Sequence, residues 1–254
     1  MSAEFLLATF ASFFAGLIDA IVGGGGMILL PTLFATFPAA PPATLLGTNK
    51  SASICGTLFS SWQYSRRITL HWRVLLPAAL LAMLGSLAGA WTVTALAPSF
   101  LRQMLPFILL GVFLYTMMNR NLGTTHAPRY SGRHEIAMAC AIGIGIGFYD
   151  GFFGPGTGSF FIFLLVRLLG YDFLHASASA KVLNVATNLA ALVLFAMKGL
   201  IWWHLGLSMA IANISGSFIG SRLALKHGAT FVRKIFLLSV SALILKAGYD
   251  AFFA

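Results

Sequence analysis

Apolar residues fill this chain in long stretches, and the polar positions between them are few and clustered. Residues 5 to 37 form one apolar run, interrupted at Gly23–Gly26 and again at Pro31. At about 1.5 Å per helical residue, that run is too long for a single bilayer crossing. Two short helices meeting at the glycines would satisfy the pattern, and so would a hairpin that dips in and returns. An uncharged turn, Phe37-Pro-Ala-Ala-Pro-Pro-Ala43, leads into a helix expected from about Ala43 to Tyr64, with Asn49 and Lys50 inside it. Ser65 to Arg73 is a short basic loop. A helix from about Trp72 to Leu96 carries Gly85 and Gly89, and after the turn Ala97-Pro-Ser99 another is expected from about Phe100 to Met118.

Arg120 to Glu135 is the one plainly hydrophilic linker, and the order then repeats. A broken apolar run spans Ile136 to Leu169, with a turn at Tyr171 and Asp172. A helix follows from about Ala176 to Met197 carrying Lys181, then a short loop at Lys198. A helix from about Trp203 to Ala224 holds Gly216 and Gly220, and a basic loop from Lys226 to Lys234 precedes a last helix. The repetition is residue by residue. Gly16-Leu-Ile-Asp-Ala-Ile-Val-Gly-Gly-Gly-Gly26 returns as Gly147-Phe-Tyr-Asp-Gly-Phe-Phe-Gly-Pro-Gly-Thr157, an offset of 131 residues. In that frame Asp19 falls on Asp150, Lys50 on Lys181, Trp72 on Trp203, Gly85 and Gly89 on Gly216 and Gly220, and Phe100 and Arg102 on Phe231 and Arg233. The chain reads as a duplicated unit: residues 1–120, a linker at 121–135, and residues 136–254.

Composition turns these apolar runs into membrane segments. The chain of 254 residues is 59% hydrophobic and 9% charged, against roughly 25% charged in soluble proteins. The expected fold is an all-α polytopic membrane protein with roughly 8–10 membrane segments. The run from Phe5 has Glu4 where a signal peptide carries a basic flank, so it is expected to be retained. Cys55 and Cys140 form no CxxC pair and lie in apolar runs, which supports neither a disulfide framework nor a thiol site. No His pair has ligand spacing, and no nucleophile, metal set or cofactor motif marks an enzyme.

A net charge of +10 does not imply nucleic acid here, because most basic residues lie between apolar runs. Their distribution instead sets topology. Loop 65–73 carries three Arg and its counterpart only Lys198, whereas loop 96–102 carries one Arg and its counterpart four basic residues. The basic member switches between halves, so the positive-inside rule turns the second unit upside down relative to the first. Inverted repeats need an odd number of crossings each: five, or three plus a re-entrant hairpin. The linker is then cytoplasmic and both termini periplasmic, in a cytoplasmic (inner) membrane.

Inverted repeats with broken helices are a transporter design, with sites near the midplane where helix ends are exposed. Gly23, Gly24 and Gly25, with Gly154, Gly156 and Thr157, are the candidates for backbone approach to a small anion. Neither copy ends in the Gly-Lys-Ser/Thr of a phosphate loop. Lys50 and Lys181 each place a charge inside an apolar helix, which costs roughly 2.5–3.5 kcal/mol even on the gentler insertion scale. One reading makes them positive centres for an anionic substrate, with Thr48, Asn49 and Ser179 as neighbouring donors. The other pairs each with Asp19 or Asp150 in a structural ion pair. Those two Asp can also carry a coupling proton. The Gly85–Gly89 and Gly216–Gly220 spacings fit close helix contact.

The motifs Gly16 to Pro31, Gly47-Thr-Asn-Lys-Ser51, Gly147 to Ser159 and Ala180-Lys-Val-Leu-Asn184 together resemble the sulfite exporter TauE/SafE family (TSUP, DUF81) over nearly the whole chain. The resemblance implies a multi-pass transporter, generally an exporter, of sulfite, organosulfonates or related small anions. Pro155 and Thr157 stand where the first copy has Gly24 and Gly26, and Ala180 where it has Asn49, so the half-sites differ chemically. A passive anion channel and a non-transporting membrane assembly subunit are the alternative readings. The sequence implies no cofactor and no metal, and it fixes no oligomeric state.

Overall fold

The computed structural model describes residues 3–96 and 127–253, all of whose long elements are helices. The expected helix from 100 to 118, and most of the linker before residue 127, lie outside the described residues. Helix α1 spans Ala3–Val22 and α2 spans Gly26–Thr36. Helix α3 is Pro42–Ser65 and α4 is Trp72–Ala95. Helix α5 covers Gly132–Phe152, and α6 covers Thr157–Leu164 before widening into a π-helical turn at Leu165–Leu169. Helix α7 is Phe173–Met197, and α8, Trp203–Phe253, consists of two helical segments joined at a kink at Gly228 (φ 73°, ψ −167°).

Local chemistry explains most boundaries. Pro42 opens α3, where a missing N–H costs nothing. Asp172 caps α7: its Oδ1 accepts from the backbone N–H of Leu174 and of His175, each at 2.8 Å. That cap starts α7 three residues before the expected Ala176. Helix α5 likewise begins at Gly132, inside the segment expected as linker, and the basic stretch from Lys226 to Lys234 is helical on both sides of Gly228. Charge marks where a chain leaves the apolar layer, but Lys and Arg are good helix formers and do not stop a helix.

Four of the described helices, α1, α4, α5 and α7, are long and apolar enough to cross a membrane, and α2 and α6 are shorter apolar helices. Their outer faces carry stripes at helical spacing, such as Leu76, Leu80 and Leu84 on α4 and Leu207 and Ile211 on α8. The polar side chains turn inward instead. Thr48, Asn49, Lys50, Ser51, Thr57 and Ser60 of α3, and Ser177, Ser179, Lys181, Asn184, Thr187 and Asn188 of α7, are all buried. The pair α3 and α7 is thus a polar axis inside an apolar jacket, the arrangement lipid solvent favours.

Helix contacts recur at the offset found in the sequence. A Cβ on Gly85 would strike the carbonyl of Ile144, and one on Gly216 that of Phe13. Gly89 lies against the carbonyl of Phe148, and Gly220 against that of Leu17. In each case the second pair sits 131 residues from the first. These small residues bring α4 against α5 and α1 against α8 at backbone distance.

The contacts also fix direction. Helix α8 runs alongside α3, since Trp202 N–H donates to Thr48 Oγ1 at one end and Ser221 donates to Gln63 Oε1 at the other. It runs alongside α1 too, through Thr9 with Ser208 and Ser217 with the carbonyl of Gly16. Helix α4 packs on α7, where Ser86 Oγ donates to Thr187 O at 2.7 Å, and α5 follows α4 in the same direction, with Gly143 against Ala78 and Gly151 against Ser86. Helix α7 opposes α3, because Gly47 abuts Phe195 while Lys50 meets Asn188.

Candidate functional site

The two helix breaks meet each other at the centre of the bundle. Gly23 (φ 75°) ends α1, and a Cβ there would collide with the backbone of Gly158 in the first turn of α6. Ser159 N–H donates to Gly23 O at 3.1 Å, and Ser159 Oγ donates to Val22 O at 2.8 Å. Only glycine combines that left-handed backbone with so close a crossing. Gly26, which starts α2, faces Pro155 of the other break.

Around this crossing lie two ion pairs, each joining one half to the other. Lys50 Nζ is 2.7 Å from Asp150 Oδ2, with the side chains 3% and 2% exposed. The contact is Coulombic, because Oδ2 is off the hydrogen-bonding direction; Lys50 spends a hydrogen bond on Asn188 Oδ1 at 3.0 Å. Lys181 Nζ is 2.9 Å from Asp19 Oδ2 and also donates to the backbone carbonyl of Asp19. Lys181 is the most enclosed, at 0% exposure. Each Lys is the ninth residue of its helix, about 12 Å from that helix's start. Because α3 and α7 run oppositely, the lysines approach from opposite ends. Thr57, which reaches Asp19 Oδ2 at 3.5 Å, lies seven residues beyond Lys50. The two pairs are therefore separated by about 10 Å along α3.

A cavity of about 20 Å³ lies between them, lined by Asp19, Asn49, Lys50, Ser53, Thr57, Asp150, Asn184, Asn188 and the break residues Gly23, Gly26, Gly154, Thr157 and Gly158. That is room for about one water. The starts of α2 and α6 border it and bring their positive dipole ends. Several of their N–H groups are already taken: Met27 by Gly24 O, Ile28 and Leu29 by Gly25 O, and Thr157 by Gly154 O.

The candidate residues therefore divide. Lys50, Asn49, Gly23, Gly154, Thr157, Asp19 and Asp150 line the cavity. Lys181 lies outside that lining, engaged with Asp19. Thr48 donates to Thr44 O and accepts from Trp202 N–H, which ties α3 to the start of α8. Ser179 is buried away from the cavity. Gly24 sits beside Ile18 and Ser159, Gly25 packs on Ala15 and Asp19, and Gly156 (φ 79°) turns the chain into α6 against Met27. Ser53, Thr57, Asn184 and Asn188 were missed as site residues. Their signal was helical spacing: Asn49, Ser53 and Thr57 at i, i+4 and i+8 share one face of α3, as Lys181, Asn184 and Asn188 do on α7.

Comparison with known proteins agrees with the motifs. The chain is 36% identical over 236 residues to the "Probable membrane transporter protein ORF9" of Sinorhizobium sp, covering 93% of this chain and 89% of that protein. It is 35% identical over 238 residues to a "Probable membrane transporter protein" of Haemophilus influenzae, covering 94% and 92%. It is 33% identical over 242 residues to the "Probable membrane transporter protein YfcA" of Escherichia coli strain K12, covering 95% and 88%. No solved structure matches it. Residues 8–247 match the family model described as Sulfite exporter TauE/SafE. With its buried polar axis and its apolar outer helices, the chain is a multi-pass membrane protein that belongs to the TauE/SafE family.

Proposed function

We propose that this protein is a secondary transporter, working as an exporter, that carries a small anion such as sulfite or an organosulfonate by alternating access between two inverted units. The observation that carries the reading is the water-sized cavity held between two crossed Lys–Asp pairs at the meeting point of both helix breaks. Such a cavity suits an occluded conformation. The cavity-lining cation, Lys50, is neutralised by Asp150, so a bound anion must displace that carboxylate, or a proton must neutralise it. Either event frees an ammonium group beside two helix N-termini, which is the chemistry a small anion requires.

Inversion is supported by the helix directions. Helices α5, α7 and α8 each run opposite to α1, α3 and α4, their counterparts at the 131-residue offset. The basic residues following α3 and those near Gly228 of α8 also share one end of the bundle, which parallel copies would separate. By the positive-inside rule that end faces the cytoplasm and the start of α1 faces the periplasm. Purified protein in liposomes is expected to move sulfite or a sulfonate, with a rate that responds to an imposed proton gradient. Absence of flux for every small anion offered, with Lys50→Ala and Lys181→Ala leaving transport phenotypes unchanged in cells, rejects the proposal.

A further inference from the structure

Away from the central cavity, a cleft of about 990 Å³ opens between the end of α3 and the middle of α8. Four cations converge on it: Arg66 and Arg67 from one half, Arg222 and Lys226 from the other. Its wall is aromatic. The Arg66 guanidinium lies 5.3 Å from the centroid of Trp62, and that of Arg222 lies 3.8 Å from Phe218. These contacts hold the charged groups at the rim by cation–π attraction. Ser221 and Gln63 tie the two helices together at the same level. Among the described residues no ion pair engages any of the four cations.

We propose that this cleft binds an anionic phospholipid, its phosphate against Arg66, Arg67, Arg222 and Lys226 and its acyl chains along the apolar wall. The size is the first argument. Drug-sized ligands occupy about 300–1,000 Å³, so a cleft at the top of that range is far larger than a small oxyanion needs. The second is the mixture of surfaces. A small anion has no use for aromatic walls, whereas an acyl chain does, and the wall continues outward. Trp62 and Leu58, 52% and 49% exposed, extend from the cleft along the outer face of α3. The third is position. Arg66 and Arg67 follow the end of α3 and Arg222 and Lys226 lie beside them on α8, at the end of the bundle that the proposed topology assigns to the anionic cytoplasmic leaflet.

The test uses full-length protein reconstituted in phosphatidylcholine vesicles containing either brominated phosphatidylglycerol or brominated phosphatidylcholine. The Trp62 signal is the difference between wild type and Trp62→Phe. Quenching of that signal by phosphatidylglycerol is expected to exceed that by phosphatidylcholine. Each single neutralisation, Arg67→Gln or Arg222→Gln, is expected to lower the preference about fivefold, and the fourfold Gln variant to abolish it. If that variant does not insert, the single variants decide, and the charge-keeping set Arg66→Lys, Arg67→Lys and Arg222→Lys should retain the preference. Equal quenching by the two lipids overturns the assignment, as does a preference that survives neutralisation. Relief of the quenching by millimolar inorganic phosphate or sulfite also overturns it, and makes the cleft a vestibule for small anions instead.

Discussion

Removing Lys50 tests whether the cross-half ion pair is structural, functional or both. The pair lies at 2.7 Å, with both side chains almost fully buried. At an effective dielectric of 20, that separation corresponds to about 6 kcal/mol of gross attraction, most of it offset by desolvation of the two ions. Lys50→Ala leaves the buried Asp150 carboxyl without its cation, with one oxygen lacking any hydrogen bond, and the expected loss is about 3–5 kcal/mol. Asp150→Ala should cost about the same, because it strands the ammonium group instead. For a chain of this size each kcal/mol moves Tm about 2–4 °C. Each single variant should therefore melt roughly 6–20 °C below wild type. The double variant, which carries neither charge, should recover most of that loss. Tryptophan fluorescence during thermal unfolding in detergent reads the cycle, and proteoliposome flux reads function. The reversed pair Lys50→Asp with Asp150→Lys separates the two roles: it should restore stability but not transport, since the cation then sits on the wrong half. A Lys50→Ala protein melting within about 2 °C of wild type refutes the stability argument. Wild-type flux from the reversed pair refutes a substrate role for Lys50.

Gly23→Ala should abolish folded protein, because its Cβ meets the backbone of Gly158 and its φ is 75°. Gly145→Ala, where a Cβ meets nothing within 4 Å, should express and melt as wild type, and size-exclusion profiles compare the two. In the turn between α6 and α7, the Tyr171 hydroxyl donates to Glu135 Oε1 at 2.6 Å. Burial first, then that hydrogen bond and the Glu135 charge, push the phenol above its ordinary range. Its folded value exceeds its unfolded value, so the stabilisation is complete below the ordinary phenol value of about 10 and declines as pH rises through the folded value. Tyr171→Phe should thus lose about 1–3 kcal/mol at neutral pH by removing the hydrogen bond to Glu135, which keeps His71 Nδ1 at 3.8 Å beside that oxygen. Its melting temperature should then fall less steeply above about pH 10 than that of wild type, and parallel slopes would contradict the assignment.

Much of this architecture was legible because lipid leaves so little choice. A run of 20 or more apolar residues has only one way to satisfy its backbone, so α4 and α7 begin and end within a few residues of their expected limits. The breaks were legible because glycine in an apolar run has few other purposes. Asp19 and Asp150 were also visible as natural partners for the lysines. Which Asp each Lys takes was not. The sequence leaves both pairings open, and where Gly23 crosses Gly158 the structure pairs Lys50 with Asp150 and Lys181 with Asp19. The basic cleft escaped for the same reason, since Arg66 and Arg222 meet only once α3 and α8 lie side by side.

Pairing across the halves has a mechanical consequence. Both central Lys–Asp contacts span the two halves, so together they hold the halves where the helix breaks cross. The pairs are also unequal. Lys181 has two acceptors on Asp19 and no exposure. Lys50 borders the cavity and divides its contacts between a carboxylate and the amide oxygen of Asn188. The inequality traces to one substitution between the copies, since Asn188 occupies the position of Thr57. Thr57 donates its one proton to Ser53 O at 2.7 Å and reaches Asp19 Oδ2 only at 3.5 Å, so it gives that carboxylate little. An amide oxygen supports the ammonium group instead. When Asp150 is protonated or displaced, Asn188 still holds Lys50 in the cavity, while Lys181 has no such second side chain to hold it. On the transport function proposed above, Lys50, which borders the cavity, is therefore the lysine expected to exchange its carboxylate for a bound anion, and Lys181, enclosed against Asp19, the one expected to keep its partner.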